Sequence, residues 1–79
     1  MMDTYFFNGT YQGMAYHAEI HRQGGDRFWT PYKVDVKCFN NKSGNCSISF
    51  TRNVLIRTFS EPKKAVRKAF TTAKQEGCL

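Results

Sequence analysis

Two stretches of the chain alternate between apolar and polar residues, and this two-residue period is typical of strands that bury one face. The first stretch spans residues 12–22 and the second spans residues 28–39. In the second stretch one side carries Phe28, Tyr32, Val34, Val36 and Cys38, and the other carries Trp29, Lys33, Asp35, Lys37 and Phe39. A helical period would spread these residues around the axis, so the pattern predicts two half-buried strands.

Polar clusters at residues 23–26 and 40–44 predict the turns that end these strands. Residues 46–51 alternate again and predict a third strand. Residues 54–59 are also extended in character, either as a fourth strand or as a continuation of the third past an irregularity at residues 52–53.

The register between the second and third predicted strands follows from the rule that opposed residues share a face. This rule favours Cys38 opposite Cys46, Val36 opposite Ile48 and Val34 opposite Phe50. The two cysteines would then be close enough for a disulfide after a small adjustment, but we expect thiols in a reducing compartment.

The C-terminal segment changes to a helical period. The spacing predicts a helix over residues 61–76, with Ser60 as N-cap, Pro62 in the first turn and Gly77 as its end. Its apolar stripe consists of Val66, Ala69, Phe70 and Ala73. The order of elements predicts an α+β fold, an antiparallel three- to four-stranded sheet with one C-terminal helix packed on one face.

The length of 79 residues predicts a single domain over residues 1–79. The sequence has neither an apolar run long enough to span a bilayer nor a signal-peptide pattern at its start, so we expect no membrane partner and a cytoplasmic location. Three cysteines, Cys38, Cys46 and Cys78, without a C-x-x-C spacing argue against a disulfide framework and a zinc site.

Catalytic and metal motifs are weak in this sequence. His17, Glu19 and His21 share a polar strand face, but His17 and His21 are separated by about 13 Å along a strand, too far to hold one ion. His17 and Glu19 match the H-x-E of zinc deaminases without the P-C-x-x-C that completes it. Phosphate-binding loops and nucleophile motifs are also lacking, so we predict no enzyme, no cofactor and no metal.

The charge balance points to an anionic partner. Twelve basic residues against six acidic ones give a net charge of +6, and the predicted helix alone carries five against two, a balance of +3. The sheet face opposite the helix presents rings interleaved with lysines, as in single-stranded nucleic-acid platforms. The predicted contacts to DNA or RNA are Trp29, Lys33, Lys37 and Phe39, with Arg57 as an addition.

The same rings would suit a protein partner or a second copy of the chain, since aromatic patches mark interfaces. The sequence therefore predicts a small basic binding domain, with nucleic-acid binding as the first function. A non-enzymatic protein-interaction module or homodimer is the alternative.

Three short motifs carry a resemblance to known families: Tyr11-Gln12-Gly13, Ala18-Glu19-Ile20 and the run from Thr58 to Val66. In this order they are similar to the AP2-type DNA-binding domain, three strands and a packed helix, which implies DNA contacts made by the strands. They also resemble small uncharacterised bacterial sheet-plus-helix proteins with a Tyr-x-Gly start and a Phe-Ser helix entry. That second resemblance fits the whole length better and implies no known activity.

Overall fold

The computed structural model describes residues 3–39 and 46–78. All four strands form one antiparallel sheet in the order β1-β2-β3-β4, and the helix covers one of its faces. The elements are β1 (Thr4–Tyr11), β2 (Met14–Arg22), β3 (Trp29–Phe39), β4 (Cys46–Arg57) and α1 (Lys63–Gln75). The predicted α+β class, a sheet with one C-terminal helix on one face, is confirmed.

The first strand, β1, is the element that the alternation did not predict. It pairs with β2 through a two-residue turn in which Gln12 and Gly13 both have positive φ, 49° and 82°, as a type I′ hairpin requires. Gly9 interrupts the apolar side of β1 because its backbone packs on the Tyr16 ring, where a Cβ atom would approach ring atoms to 3.0 Å. The adjacent Phe6 and Phe7 further obscure the two-residue period.

Residues 54–57 continue the third predicted strand as the end of β4, which decides between the two alternatives. The predicted register between β3 and β4 is wrong by two residues. Cys38 lies opposite Ile48, Val36 opposite Phe50 and Val34 opposite Arg52. A shift between Cys38 and Phe39 places Phe39, rather than Cys38, opposite Cys46.

A two-residue slip leaves every side chain on its own face, so alternation alone could not detect the register error. The predicted turn at residues 40–44 lies outside the described residues. So does the Cys46 side chain, on which the predicted disulfide geometry depends.

The helix starts two residues later than predicted, at Lys63. Pro62 is the N-cap and makes no side-chain cap hydrogen bond, so the prediction of Ser60 as N-cap is wrong. Instead, the Ser60 N–H donates to the carbonyl of Arg57 and closes a turn after β4. The C-terminal end agrees with the prediction, because Gly77 follows the last turn with a φ of 83°. Within the described ranges no helix is long and apolar enough to cross a membrane.

The core lies between α1 and the inner face of the sheet. Small residues of the helix allow its axis to approach the strands closely, while Phe70 fills the space between the helix and β1, β2 and β4 through ring contacts. The buried helical residues are Ala65, Val66, Ala69, Phe70 and Ala73, and the buried strand residues include Ala18, Ile20, Tyr32, Val34, Val36, Cys38, Phe50, Val54 and Ile56. Even-numbered residues of β3 and β4 form this inner face, so the odd-numbered ones form the opposite, uncovered face.

Candidate nucleic-acid interface

The predicted contact residues lie on the uncovered face, but at different places along it. Trp29 begins β3 and lies directly opposite Arg57 of β4, so these two residues meet. Lys33 and Lys37 are exposed farther along β3, and half-buried Phe39 ends the strand. Ten residues of strand separate Trp29 from Phe39, or about 33 Å. The structure therefore brings Trp29 and Arg57 together and separates them from Phe39.

Trp29 and Arg57 form a cation–π pair. The guanidinium carbon of Arg57 lies 4.4 Å from the centroid of the Trp29 ring, well inside the distance at which such pairs attract. Trp29 remains 39% exposed, and Arg57 is also exposed. The guanidinium thus covers one face of the indole, while both side chains keep contact with solvent.

The turn before β3 holds Trp29 in place. The Asp26 carboxylate accepts hydrogen bonds from the backbone N–H groups of Trp29 and Phe28, both at 2.8 Å, and these bonds lower the pKa of Asp26. The Asp26 N–H in turn donates to the carbonyl of Trp29 at 2.9 Å. The backbone that carries the indole is therefore fixed by a closed set of local hydrogen bonds.

Thr58 ties this turn to the segment that follows β4. Its N–H donates to the carbonyl of Phe28 at 3.0 Å, and its hydroxyl donates to the carbonyl of Asp26 at 2.7 Å. The hydroxyls of Thr58 and buried Thr30 lie 2.9 Å apart and share a hydrogen bond. The β2–β3 turn and the β4–α1 connection consequently form one rigid end of the sheet.

This end of the sheet carries two further exposed rings and one further cation that were not among the predicted contacts, and Phe28, predicted on the apolar side of its strand, is one of them. Phe28 is 58% exposed beside Arg27, whose guanidinium lies 5.7 Å from its ring, and Phe59 is 92% exposed. In the sequence, the run Arg-Phe-Trp directly after a Gly-Gly-Asp turn indicates exposed rings beside a cation at this end of the sheet. We call this surface the end patch, and its members are Arg27, Phe28, Trp29, Leu55, Arg57 and Phe59.

The middle of the uncovered face differs from the end patch in charge. Lys33 and Lys37 flank Asp35 on β3, and Asp35 lies directly opposite Glu19 of β2. Two cations and two anions cancel there. The lysines predicted as phosphate contacts therefore lie in a locally neutral surface, whereas Arg27 and Arg57 outnumber the carboxylate of Asp26 beside the end patch and leave it positive.

The imidazoles of the uncovered face have different partners. His17 Nδ1 lies 2.7 Å from the Asn8 side-chain oxygen, and its ring stacks beside that of Phe6. His21 Nε2 lies 3.5 Å from Glu19 Oε2 and 3.8 Å from Asp35 Oδ2. His17 does not belong to the group of donors that His21 forms with Glu19 and Asp35, and the cross-strand neighbour Asp35 is the member that the sequence did not predict.

Most of the remaining positive charge lies on the helix. The side chains that α1 leaves exposed include Lys63, Lys64, Arg67, Lys68 and Lys74. They lie on the covered side of the sheet, away from its open face, and Lys68 also donates a hydrogen bond to the carbonyl of Leu55 on β4. The chain leads from Arg57 of the end patch into Lys63 through only five intervening residues.

These features define a four-stranded antiparallel α+β domain with an uncovered face and an aromatic, arginine-bearing end. The chain matches no protein-family model, no curated protein and no solved structure at a significant level.

Proposed function

We propose that the protein is a non-enzymatic domain that binds single-stranded nucleic acid through the end patch. The observation that carries this proposal is the exposed Trp29 ring with the Arg57 guanidinium 4.4 Å from its centroid. A base stacked on the indole face that Arg57 leaves free would contribute about 1–3 kcal/mol, and the guanidinium over the other face adds attraction to the phosphate. Both groups are already in place, so little ordering is needed on binding.

The other predicted contacts extend this interface along β3. Lys33 lies four residues, about 13 Å, from Trp29 and would meet the backbone of a nucleotide next to the stacked base. Lys37 and Phe39 lie farther along and would be reached only by a longer strand. The proposal thus predicts that affinity rises with the length of the oligonucleotide until Phe39 is covered.

The single tryptophan of the chain gives a direct test. Titration with unstructured single-stranded DNA and RNA at low salt is expected to quench Trp29 fluorescence as a base stacks on the indole. Sequence-independent binding of this type has a Kd of about 1–100 µM, so no quenching and no change in anisotropy up to that range would refute the proposal.

Charge-matched variants locate the contact. Arg57→Gln should weaken binding and lower the slope of log K against log salt by about 0.7, the contribution of one phosphate contact on a single strand. Lys74→Gln removes the same charge from the far end of α1 and should leave that slope unchanged. Equal effects of the two variants would indicate a general charge effect and contradict a site at the end patch.

A protein-interaction surface is the second candidate, and exposed Phe28, Leu55 and Phe59 favour it because such side chains are common at interfaces. The occupant would be a partner protein or a second copy of the chain. Association through these rings should be nearly indifferent to salt and should appear as a larger mass in light scattering. Trp29→Ala should then reduce that mass.

The location we propose with either function is the cytoplasm, where the three cysteines are expected to be reduced.

A further inference from the structure

We propose that Glu19, His21 and Asp35 form a binding site for a divalent transition-metal ion, best matched by Zn²⁺, on the uncovered face of the sheet. One imidazole nitrogen and two carboxylate oxygens are donors that Zn²⁺ accepts. The site is separate from the end patch, so it can be tested without any nucleic acid.

The sheet register brings these donors together. Glu19 and His21 are two residues apart on β2 and therefore share its outer face, and Asp35 of β3 lies directly opposite Glu19. One donor atom from each residue lies within 4.8 Å of the other two. Spacing along β2 relates only Glu19 and His21, and the third donor comes from the neighbouring strand.

The distances between donors suit a small ion. His21 Nε2 lies 3.5 Å from Glu19 Oε2 and 3.8 Å from Asp35 Oδ2, longer than an ordinary hydrogen bond of about 2.7–3.2 Å. Donors about 2.0–2.2 Å from a tetrahedral Zn²⁺ are separated by about 3.3–3.6 Å. The two distances to His21 are therefore within a few tenths of an ångström of those around the ion, and the carboxylate oxygens, which lie within 4.8 Å of each other, would close the remaining gap by side-chain rotation.

Neighbouring hydroxyls orient two of the three donors. Thr4 Oγ1 lies 3.2 Å from His21 Nδ1, which leaves Nε2 directed at the two carboxylates. The Thr51 hydroxyl donates to Asp35 Oδ1, which leaves Oδ2 directed at His21. Hydrogen bonds of this kind fix the tautomer and direction of ligands around protein-bound metals.

Electrostatics also favours a cation between these groups. Like charges directly opposite each other on neighbouring strands are destabilising. Over residues 3–39 and 46–78, neither Glu19 nor Asp35 forms an ion pair with a lysine or arginine, and His21 is their shared partner. A divalent ion would neutralise both carboxylates at once. The donor side chains are 33–39% exposed, so an ion can enter and a fourth position stays open to water.

Calorimetric titration of the whole protein with ZnCl₂ and then CoCl₂ tests the site. We expect one equivalent to bind and the Co²⁺ complex to show the visible spectrum of nitrogen and oxygen ligation. A strong sulfur-to-cobalt charge-transfer band would place the ion on cysteine instead and would overturn the proposal, as would no binding at millimolar metal.

Variants that keep side-chain size identify the donors. Glu19→Gln and Asp35→Asn should each weaken binding at least tenfold, while His17→Gln, on the same face but bound to Asn8, should leave the affinity unchanged. Thr4→Val keeps all three ligands but removes the hydroxyl that orients the His21 ring, and it should weaken binding by at most about 100-fold.

A Glu19→Gln protein that stays folded and keeps full affinity for the metal contradicts the proposed site. A loss of affinity in His17→Gln equal to that in Glu19→Gln contradicts it as well. Should Glu19→Gln fail to fold, metal-induced shifts confined to the His21 ring in the NMR spectrum support the site, and shifts of His17 instead refute it.

Discussion

The ring of Tyr11, the last residue of β1, stacks on the ring of Phe70 in α1 with centroids 4.2 Å apart and planes 14° from parallel. The same Phe70 ring meets Tyr16 and Phe50 edge to face at 5.0 and 5.6 Å. One helical side chain thus joins three strands, including the strand whose sequence pattern was least informative.

Phe70→Ala should be strongly destabilising. Removing a buried phenylalanine lowers the free energy of unfolding by about 3–5 kcal/mol, and here three ring contacts are lost together. Urea unfolding followed by circular dichroism measures the change. Phe59→Ala is the matched control, because that ring is 92% exposed and its loss should change stability by less than about 0.5 kcal/mol. Similar losses in both variants would contradict the described core.

The Asp26 carboxylate should make stability depend on pH in the acid range. Its backbone hydrogen bonds from Trp29 and Phe28 hold its pKa below the ordinary value of 3.8, so the folded state favours the charged form. The resulting stabilisation is present above that ordinary value and is lost as the pH falls through the lower folded-state pKa. In Asp26→Asn this dependence should be absent, so the wild-type advantage over the variant should vanish in acid. An advantage that persists unchanged there would contradict the charged acceptor.

Gly25→Ala should destabilise the turn more than Gly24→Ala. Both glycines have positive φ, 122° and 108°, so both substitutions strain the backbone. At Gly25 the added Cβ would also lie 2.9 Å from the Thr30 hydroxyl and 3.0 Å from the carbonyl oxygen of Trp29, whereas nothing lies within 4 Å at Gly24. Thermal unfolding of the two variants gives the difference, and a lower midpoint for Gly24→Ala would argue against this turn geometry.

The ion pair between Arg52 and Glu76, with Nη2 and Oε2 2.8 Å apart, should contribute little. Glu76 is half exposed, so Glu76→Gln should lower the free energy of unfolding by less than about 1 kcal/mol. Screening in concentrated salt should remove that difference. A larger loss that persists in salt would show that Glu76 acts by packing instead of charge.

Alternation and helical spacing were sufficient for most of the fold because β2, β3 and α1 each bury one clear face. They were insufficient for β1, where Gly9 and the paired Phe6 and Phe7 break the period. They were also insufficient for the β3–β4 register, since a slip of two residues moves no side chain to the other face.

The candidate sites could be predicted only in part for the same reason, because they depend on which residues of neighbouring strands lie opposite each other. Trp29 and Arg57 lie on strands that were both predicted, but their direct opposition depends on the register that alternation could not fix. Asp35 joins Glu19 and His21 only across strands, so spacing along one strand gave no sign of a third donor. The prediction of Phe28 on the apolar side of the second stretch was wrong, because β3 begins only at Trp29, and Phe59 likewise lies beyond the end of β4, so both rings are in connections and exposed.

The strand order β1-β2-β3-β4 has a consequence for how this chain folds. Every strand pairs with its neighbour in sequence, so each hairpin closes a short loop and loses little chain entropy. Pairing between sequence neighbours keeps the contact order below that of the same strands in a crossed-over order, and a lower contact order is associated with faster folding. The sheet can grow one hairpin at a time, and no strand has to wait for a distant segment of the chain to arrive.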